Sequence, residues 1–249
     1  QVFHKLLRDR VARGKYQYAV RPIVINKWEA TFFDFDDKKL DQIIDEAKPL
    51  GIEMFVLDDG WFGHRNDDNS SLGDWFVNQD KLTGGLKRVA DRTHEHGMKF
   101  GLWFEPEMIS VDSKLYKKHP DYALHEPNRG MTLSRNQLVL DFSRKEVVDN
   151  IYNQMCLILD KVPLDYIKWD FNRNLTEVFS SAADAEHQGE VSHRYVLGLY
   201  DLMERLVTRY PNILFEGCSG GGGRFDAGIL YYMPQSWPSD DTDAVERLK

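Results

Sequence analysis

Cysteine is scarce in this chain. The 249 residues contain two, Cys156 and Cys218, far apart and in different settings. That argues against a disulfide framework and fits a reducing, cytoplasmic compartment. No His-x-x-x-His or Cys-x-x-Cys spacing occurs, so neither a metal nor another cofactor is expected. His94 and His96, flanking Glu95, fall on the polar side of a helical stretch and read as exposed surface. No apolar run approaches the roughly 20 residues of a membrane helix, and no membrane partner is expected. Positive charge is in deficit, with 32 Lys and Arg against 40 Asp and Glu. A nucleic-acid partner would want a basic face, so none is expected. The glycine run Gly220 to Gly223 lacks the Gly-Lys-Ser/Thr ending of a phosphate loop. It reads as backbone making room for a ligand, or as a flexible turn. No targeting signal is visible, and the chain opens on Gln1 rather than Met, so it reads as an excised segment.

What is present is a rhythm of short apolar runs and helical patterns. The runs are Ile23-Val24-Ile25, Met54 to Leu57, Lys99 to Phe104, Leu138-Val139-Leu140, Tyr166 to Trp169 and Ile213-Leu214-Phe215, with a weaker one at Tyr231-Tyr232-Met233. Such unbroken apolar runs suit parallel strands buried on both faces. Between them, Leu40, Ile43, Ile44, Ala47 and Leu50 share a helical face that stops at Gly51. Leu86, Val89, Ala90 and Thr93 form a second, stopped at Gly97. Ser143 and Glu146 have capping-box spacing ahead of Val147, Ile151, Met155 and Ile158. A fourth helix spans about Val191 to Tyr210. Repeated strand-then-helix order predicts an α/β fold with a parallel sheet. A doubly wound sheet would want glycines after its first strand, but here Asn26-Lys27-Trp28-Glu29-Ala30 follows. The length suits one (β/α)8 TIM barrel, truncated before its eighth strand. Residues 1–20 read as a linker or the tail of a preceding domain, and residues 21–249 as the barrel with its carboxyl end incomplete.

A barrel of this kind carries its site at the carboxyl ends of the strands. Those ends hold Lys27 to Glu29, Asp58 to Trp61, Trp103 to Glu107, Asp141, Lys168 to Arg173, Glu216 to Ser219, and Trp237 to Asp243. A lone carboxylate at a strand end is more often a helix cap. Carboxylates and tryptophans together at most ends match a sugar, whose C–H faces stack on rings and whose hydroxyls donate to carboxylates. Lys168 and Asp170, two apart on a strand, point to one side. A cation there would favour the ionised carboxylate a nucleophile needs. Asp240, Asp241 and Asp243 crowd one another, which raises at least one carboxyl pKa and suits a general acid. A solvated acidic turn would look the same.

Five stretches in order resemble glycoside hydrolase family 36, the bacterial α-galactosidases. They are Leu57-Asp58-Asp59-Gly60-Trp61-Phe62, Gly101 to Met108, Lys168-Trp169-Asp170-Phe171-Asn172-Arg173, Glu216 to Gly222, and Ser239-Asp240-Asp241-Thr242-Asp243. Pro238 departs from the small hydroxyl residue of the family pattern. The resemblance implies a retaining mechanism on terminal α-linked galactose of the melibiose and raffinose type. Asp170 would be the nucleophile and Asp240 the acid/base. Asp58, Asp59, Trp103, Arg135, Lys168, Asn172, Cys218 and Gly221 would bind the sugar. It further implies β domains on either side of the barrel and a homo-oligomeric full-length protein. Alternatives on the same scaffold are an α-N-acetylgalactosaminidase or a galactosyl transferase. More remote are a metal-dependent barrel lyase or epimerase and a non-catalytic sugar-binding module.

Overall fold

The computed structural model describes residues 2–241 and 243–248, the side chain of Arg247 excepted. In chain order it has helix α1 (Val2–Arg10), strand β1 (Val24–Asn26), and helices α2 (Trp28–Thr31) and α3 (Asp37–Ala47). Then come β2 (Met54–Leu57), α4 (Gly85–Glu95), β3 (Lys99–Phe104), β4 (Met108–Ile109), α5 (Lys114–Lys118), β5 (Leu138–Val139) and α6 (Lys145–Leu159). The last elements are β6 (Tyr166–Trp169), α7 (Val191–Arg209), β7 (Leu214–Gly217), α8 (Ala227–Tyr232) and β8 (Gln235–Ser236). Six strands form one parallel sheet in the order β1-β2-β3-β6-β7-β8.

The α/β class and the parallel sheet agree with the sequence reading, but three details differ. The run at Leu138 does not join the main sheet. It pairs antiparallel with β4, while β3 bonds directly to β6. The chain leaves β3 at Glu105-Pro106 and turns back, with Met108 N–H donating to the Glu105 carbonyl, so β4 and β5 form a separate small ladder. Tyr231 and Tyr232 lie in α8, capped by Asp226, whose carboxylate accepts from the N–H groups of Gly228 and Ile229. The edge strand follows them, at Gln235. The capping box is also absent. Arg144 occupies the N-cap of α6 with no side-chain cap, Ser143 donates its hydroxyl to Asp141, and Glu146 pairs with Arg144.

Helix faces and stops are largely as read. Gly51 (φ +84°) and Gly97 (φ +67°) take the left-handed conformation that ends their helices. Leu86, Val89, Ala90 and Thr93 are all buried. Leu50 is exposed, because residues 48–50 tighten into a 3₁₀ turn that carries it off the face of α3.

Alternation along the strands divides the sheet into two faces. Phe55, Leu57, Phe100, Leu102, Phe104, Ile167, Trp169 and Phe215 join the helix-covered core. Met54, Val56, Tyr166 and Leu214 form a second cluster on the opposite face, with Tyr16 packed into it. Tyr16 also donates its hydroxyl to the Asn212 carbonyl. The segment before residue 21 thus holds a helix and a residue that plugs the amino end of the sheet.

Candidate active site

The inner face changes character along its length. Strand register places Asn26 beside Val56, Val56 beside Gly101, Trp103 beside Lys168, Lys168 beside Glu216, and Glu216 beside Gln235. Continuing two residues at a time brings Asp58, Glu105, Asp170 and Cys218 onto that same face at the carboxyl edge. Apolar side chains fill the amino half, and charged groups collect at the other end.

Lys168 is the hub, with its side chain 2% exposed. Its ammonium donates to Asp58 Oδ2 at 2.9 Å and lies 3.7 Å from Asp240 Oδ1. The Trp237 ring covers it, centroid 4.5 Å away. Asp58 also accepts from Asn26 Nδ2 (2.6 Å) and from the N–H of Asp59 (2.8 Å). Burial is the largest single effect on each partner and opposes its charge. Their mutual attraction outweighs it together with the Asn26 and Asp59 hydrogen bonds to Asp58 and the charges of Asp170 and Asp240 near Lys168. Asp58 is held below the usual carboxylate range, and Lys168 above the usual lysine range. The lysine expected to pair with Asp170 therefore makes its direct ion pairs with Asp58 and Asp240.

Asp170 is buried and anchored differently. Its Oδ2 accepts from the Trp103 indole N–H (3.1 Å), and its Oδ1 from the N–H of Phe171 (2.9 Å). Trp103 is itself set by Trp61, whose indole donates to the Trp103 carbonyl at 2.8 Å, and its ring stacks on Phe62. The Cys218 thiol is free and buried. Burial first, and the charge of Asp170 second, push its pKa up, so it stays protonated. Gly221 (φ +87°) brings the glycine run close to the segment leading into Asp240, where a Cβ would lie 2.7 Å from the Pro238 carbonyl oxygen.

Asp59 is locked in a two-point ion pair with buried Arg65, at 2.6 and 2.8 Å. Asn172 accepts from the Gly220 N–H at 3.2 Å, tying the turn after Asp170 to the glycine run. Arg135 sits exposed in a turn at φ +53° and takes part in none of the bonds that join the cluster. Of the three crowded carboxylates, Asp240 alone turns toward Lys168, accepting from the Trp237 indole at 2.8 Å. Asp241 and Asp243 instead accept backbone N–H groups of their own turn. Thr242 lies outside the described residues. His94 and His96, expected on an exposed surface, are half-buried, and their ring nitrogens contact the Asp165 and Asp45 carboxylates at 2.8 and 2.9 Å.

Sequence reasoning singled out neither Glu105 nor Glu107 for a role. Glu107, fully buried, accepts from Trp169 Nε1, Tyr195 OH and both terminal nitrogens of Arg224, pinning the chain just after the glycine run. Glu105 faces Asp170 and Arg65. Burial and then the charge of Asp170 push its carboxyl up to about 7. Between about 4.5 and about 7 the folded chain therefore keeps a proton that the unfolded chain has released. Stability present below this window is lost as pH rises through it, with a slope of at most about 1.4 kcal/mol per pH unit. In denaturant unfolding, Glu105→Gln should gain on the unsubstituted protein as pH rises across the window. A pH-independent difference would contradict this.

The Melibiase family model matches residues 1–249. The chain is 62% identical over 248 residues to Alpha-galactosidase 1 of Pediococcus pentosaceus, covering 100% of this chain and 34% of that protein. It is 57% identical over 249 residues to Alpha-galactosidase AgaA of Geobacillus stearothermophilus, again covering 100% and 34%. The crystal structure of AgaA, a glycoside hydrolase family 36 α-galactosidase, superposes with a TM-score of 0.97 at 56% identity, covering 99% of this chain and 34% of that one. A substituted form of AgaA in complex with raffinose superposes at 0.96, with the same identity and coverage. The chain spans about a third of the length of the relatives it matches. With its whole length covered by one family model, the chain belongs to the Melibiase family.

Proposed function

We propose that this chain is the catalytic segment of a retaining α-galactosidase that removes terminal α-linked galactose from melibiose and raffinose-type sugars. The observation that carries the reading is the carboxyl-edge cluster. An anchored carboxylate, Asp170, lies on the same face as the buried Asp58–Lys168 pair, and Lys168 in turn reaches Asp240. The relative crystallised with raffinose supports the substrate class.

In this reading Asp170 attacks the anomeric carbon while the glycosidic C–O bond breaks, and Asp240 gives its proton to the leaving oxygen. Asp240 then takes a proton from water, which attacks the glycosyl-enzyme and releases galactose and Asp170. A retaining pair works with its carboxyls about 5–5.5 Å apart. Trp103 holds Asp170 in place. Asp58, Asp59, Lys168 and Asn172 receive sugar hydroxyls, Arg135 reaches in from its turn, and Cys218 and Gly221 shape the wall.

The six strands are part of a (β/α)8 barrel, and two more strands between β8 and β1 would close it. A cavity of roughly 530 Å³ runs between those edges, lined by Asn26, Trp28, Glu216, Trp237 and Asp240 among others. Residues 1–20 lead in from a preceding domain. The full-length protein is cytoplasmic and homo-oligomeric. No helix among the described residues is long and apolar enough to cross a membrane.

The test is proton NMR of the intact protein acting on an aryl α-galactoside. α-Galactose should appear first and mutarotate later. β-Galactose as the first product, or no turnover, would sink the reading. Azide added to Asp240→Gly should yield α-galactosyl azide from a reactive galactoside, because azide attacks the glycosyl-enzyme from the face that water uses.

A further inference from the structure

We infer that Glu105 is a positioning residue that aims Asp170 by holding the backbone amide of Asn172. This rests on Asp170 being the nucleophile proposed above.

The ladder between β3 and β6 explains why such a holder is needed. Asp170 N–H donates to the Phe104 carbonyl at 2.7 Å, just past the last paired residues, Phe104 and Trp169. Parallel strands donate at every second residue, so the next donor is Asn172 and its acceptor would be the Pro106 carbonyl. β3 has ended by then, because the chain turns away at Glu105-Pro106. The Glu105 side chain takes the missing carbonyl's place. Its Oε1 accepts from Asn172 N–H at 2.7 Å and from Gln137 Nε2 at 2.7 Å. Glu105 is 1% exposed, so water does not compete for these bonds.

The consequence reaches Asp170 through the chain. The turn 170–172 is fixed by consecutive amides. Asp170 is tied to β3, Phe171 to the Asp170 carboxylate itself, and Asn172 to Glu105. If the third tie is released, the Phe171 N–H that orients Asp170 Oδ1 loses its support. Gln137 extends the same clamp toward the turn carrying Arg135, since Arg173 donates to both the Gln137 and Thr132 carbonyls. One carboxylate thus sets the relative placement of three segments around the nucleophile without touching the sugar.

Two substitutions in the intact protein separate this role from bulk stability. Glu105→Leu keeps much of the volume and removes the acceptor, whereas Glu105→Gln keeps an acceptor oxygen and removes the charge. For an activated aryl α-galactoside, Glu105→Leu is expected to lower kcat roughly 100-fold, the scale of a 1 Å misplacement, with KM changed less than about threefold. Glu105→Gln should recover most of that loss. Hydrogen exchange at the Asn172 amide should quicken in the Leu variant and stay slow in the Gln variant. If Glu105→Leu does not fold, Glu105→Met offers a more adaptable side chain with the same two readouts.

Wild-type kcat in the Leu variant, unchanged Asn172 exchange, or a Gln variant as impaired as the Leu variant would overturn the inference. Altered Asn172 exchange in a protein that turns over no galactoside would instead sink the nucleophile reading and leave the amide anchor standing.

Discussion

Replacing Asp170 with Ala should lower turnover of an aryl α-galactoside by about 10⁴-fold or more, the scale on which removal of a covalent nucleophile is felt. Asp170→Asn should be comparably inactive, although its amide oxygen still accepts from Trp103 or Phe171. That comparison matters because Ala also frees two donors, the Trp103 indole and the Phe171 N–H. Leaving such groups unpaired in a buried setting costs on the order of 1–3 kcal/mol, and the Asn variant isolates chemistry from that cost. The substitution has a second effect, on Glu105. Its raised pKa owes its second largest contribution to the charge of Asp170, so both variants should narrow the pH window over which Glu105 weakens the fold. Steady-state kinetics on the intact protein, with active sites counted by a mechanism-based galactosyl label, gives the first result. Turnover within tenfold of wild type, or label on a different residue, would refute the assignment.

The largest loss of stability is expected from Glu107→Ala. Glu107 is wholly buried and accepts from three side chains at once, including a two-point bond with Arg224. Truncation leaves the Arg224 guanidinium, the Trp169 indole and the Tyr195 hydroxyl without their acceptor. Breaking a buried ion pair from one side costs about 3–5 kcal/mol, mostly through the uncompensated charge left behind. Arg224 also lies over the Phe171 ring, 4.3 Å from its centroid. Freeing it should loosen the loop beside Asp170 and reduce activity even in the fraction that stays folded. Glu107→Gln keeps an acceptor and should cost less. Chemical denaturation measures both, and a loss below about 1 kcal/mol for the Ala variant would contradict the account.

Some of this was legible in the chain itself. The apolar runs located five of the six sheet strands, because strands buried on both faces carry little else. The glycine stops were legible because only glycine takes those backbone angles cheaply. Leu138 misled because apolar character reports burial but not partner, and β5 is as buried in its small ladder as it would be in the main sheet. Tyr231 misled because six residues of α8 are too few to show a helical period. At the site, parity along the strand put Lys168 and Asp170 on one side correctly. It could not say that Lys168 would reach across to Asp58, since that depends on which strands neighbour each other. The same parity could have flagged Glu105, two residues beyond Trp103. Arg65 and Arg224 arrive from loops, where neither period nor pattern predicts a partner.

The alternation of the two faces bears on how a chain like this can change over generations. Glu105 and the indole N–H of Trp103 face Asp170, while Leu102 and Phe104, their immediate neighbours, lie in the helix-covered core, which the Trp103 ring also joins. Adjacent codons therefore answer to different selection, one to what the protein does and the next to whether it folds. Inner positions near the carboxyl edge can vary with what is bound there while the outer ones stay fixed. A saturation library across residues 99–105 should show this as a sawtooth, with tolerance for abundance and tolerance for activity alternating along a single strand.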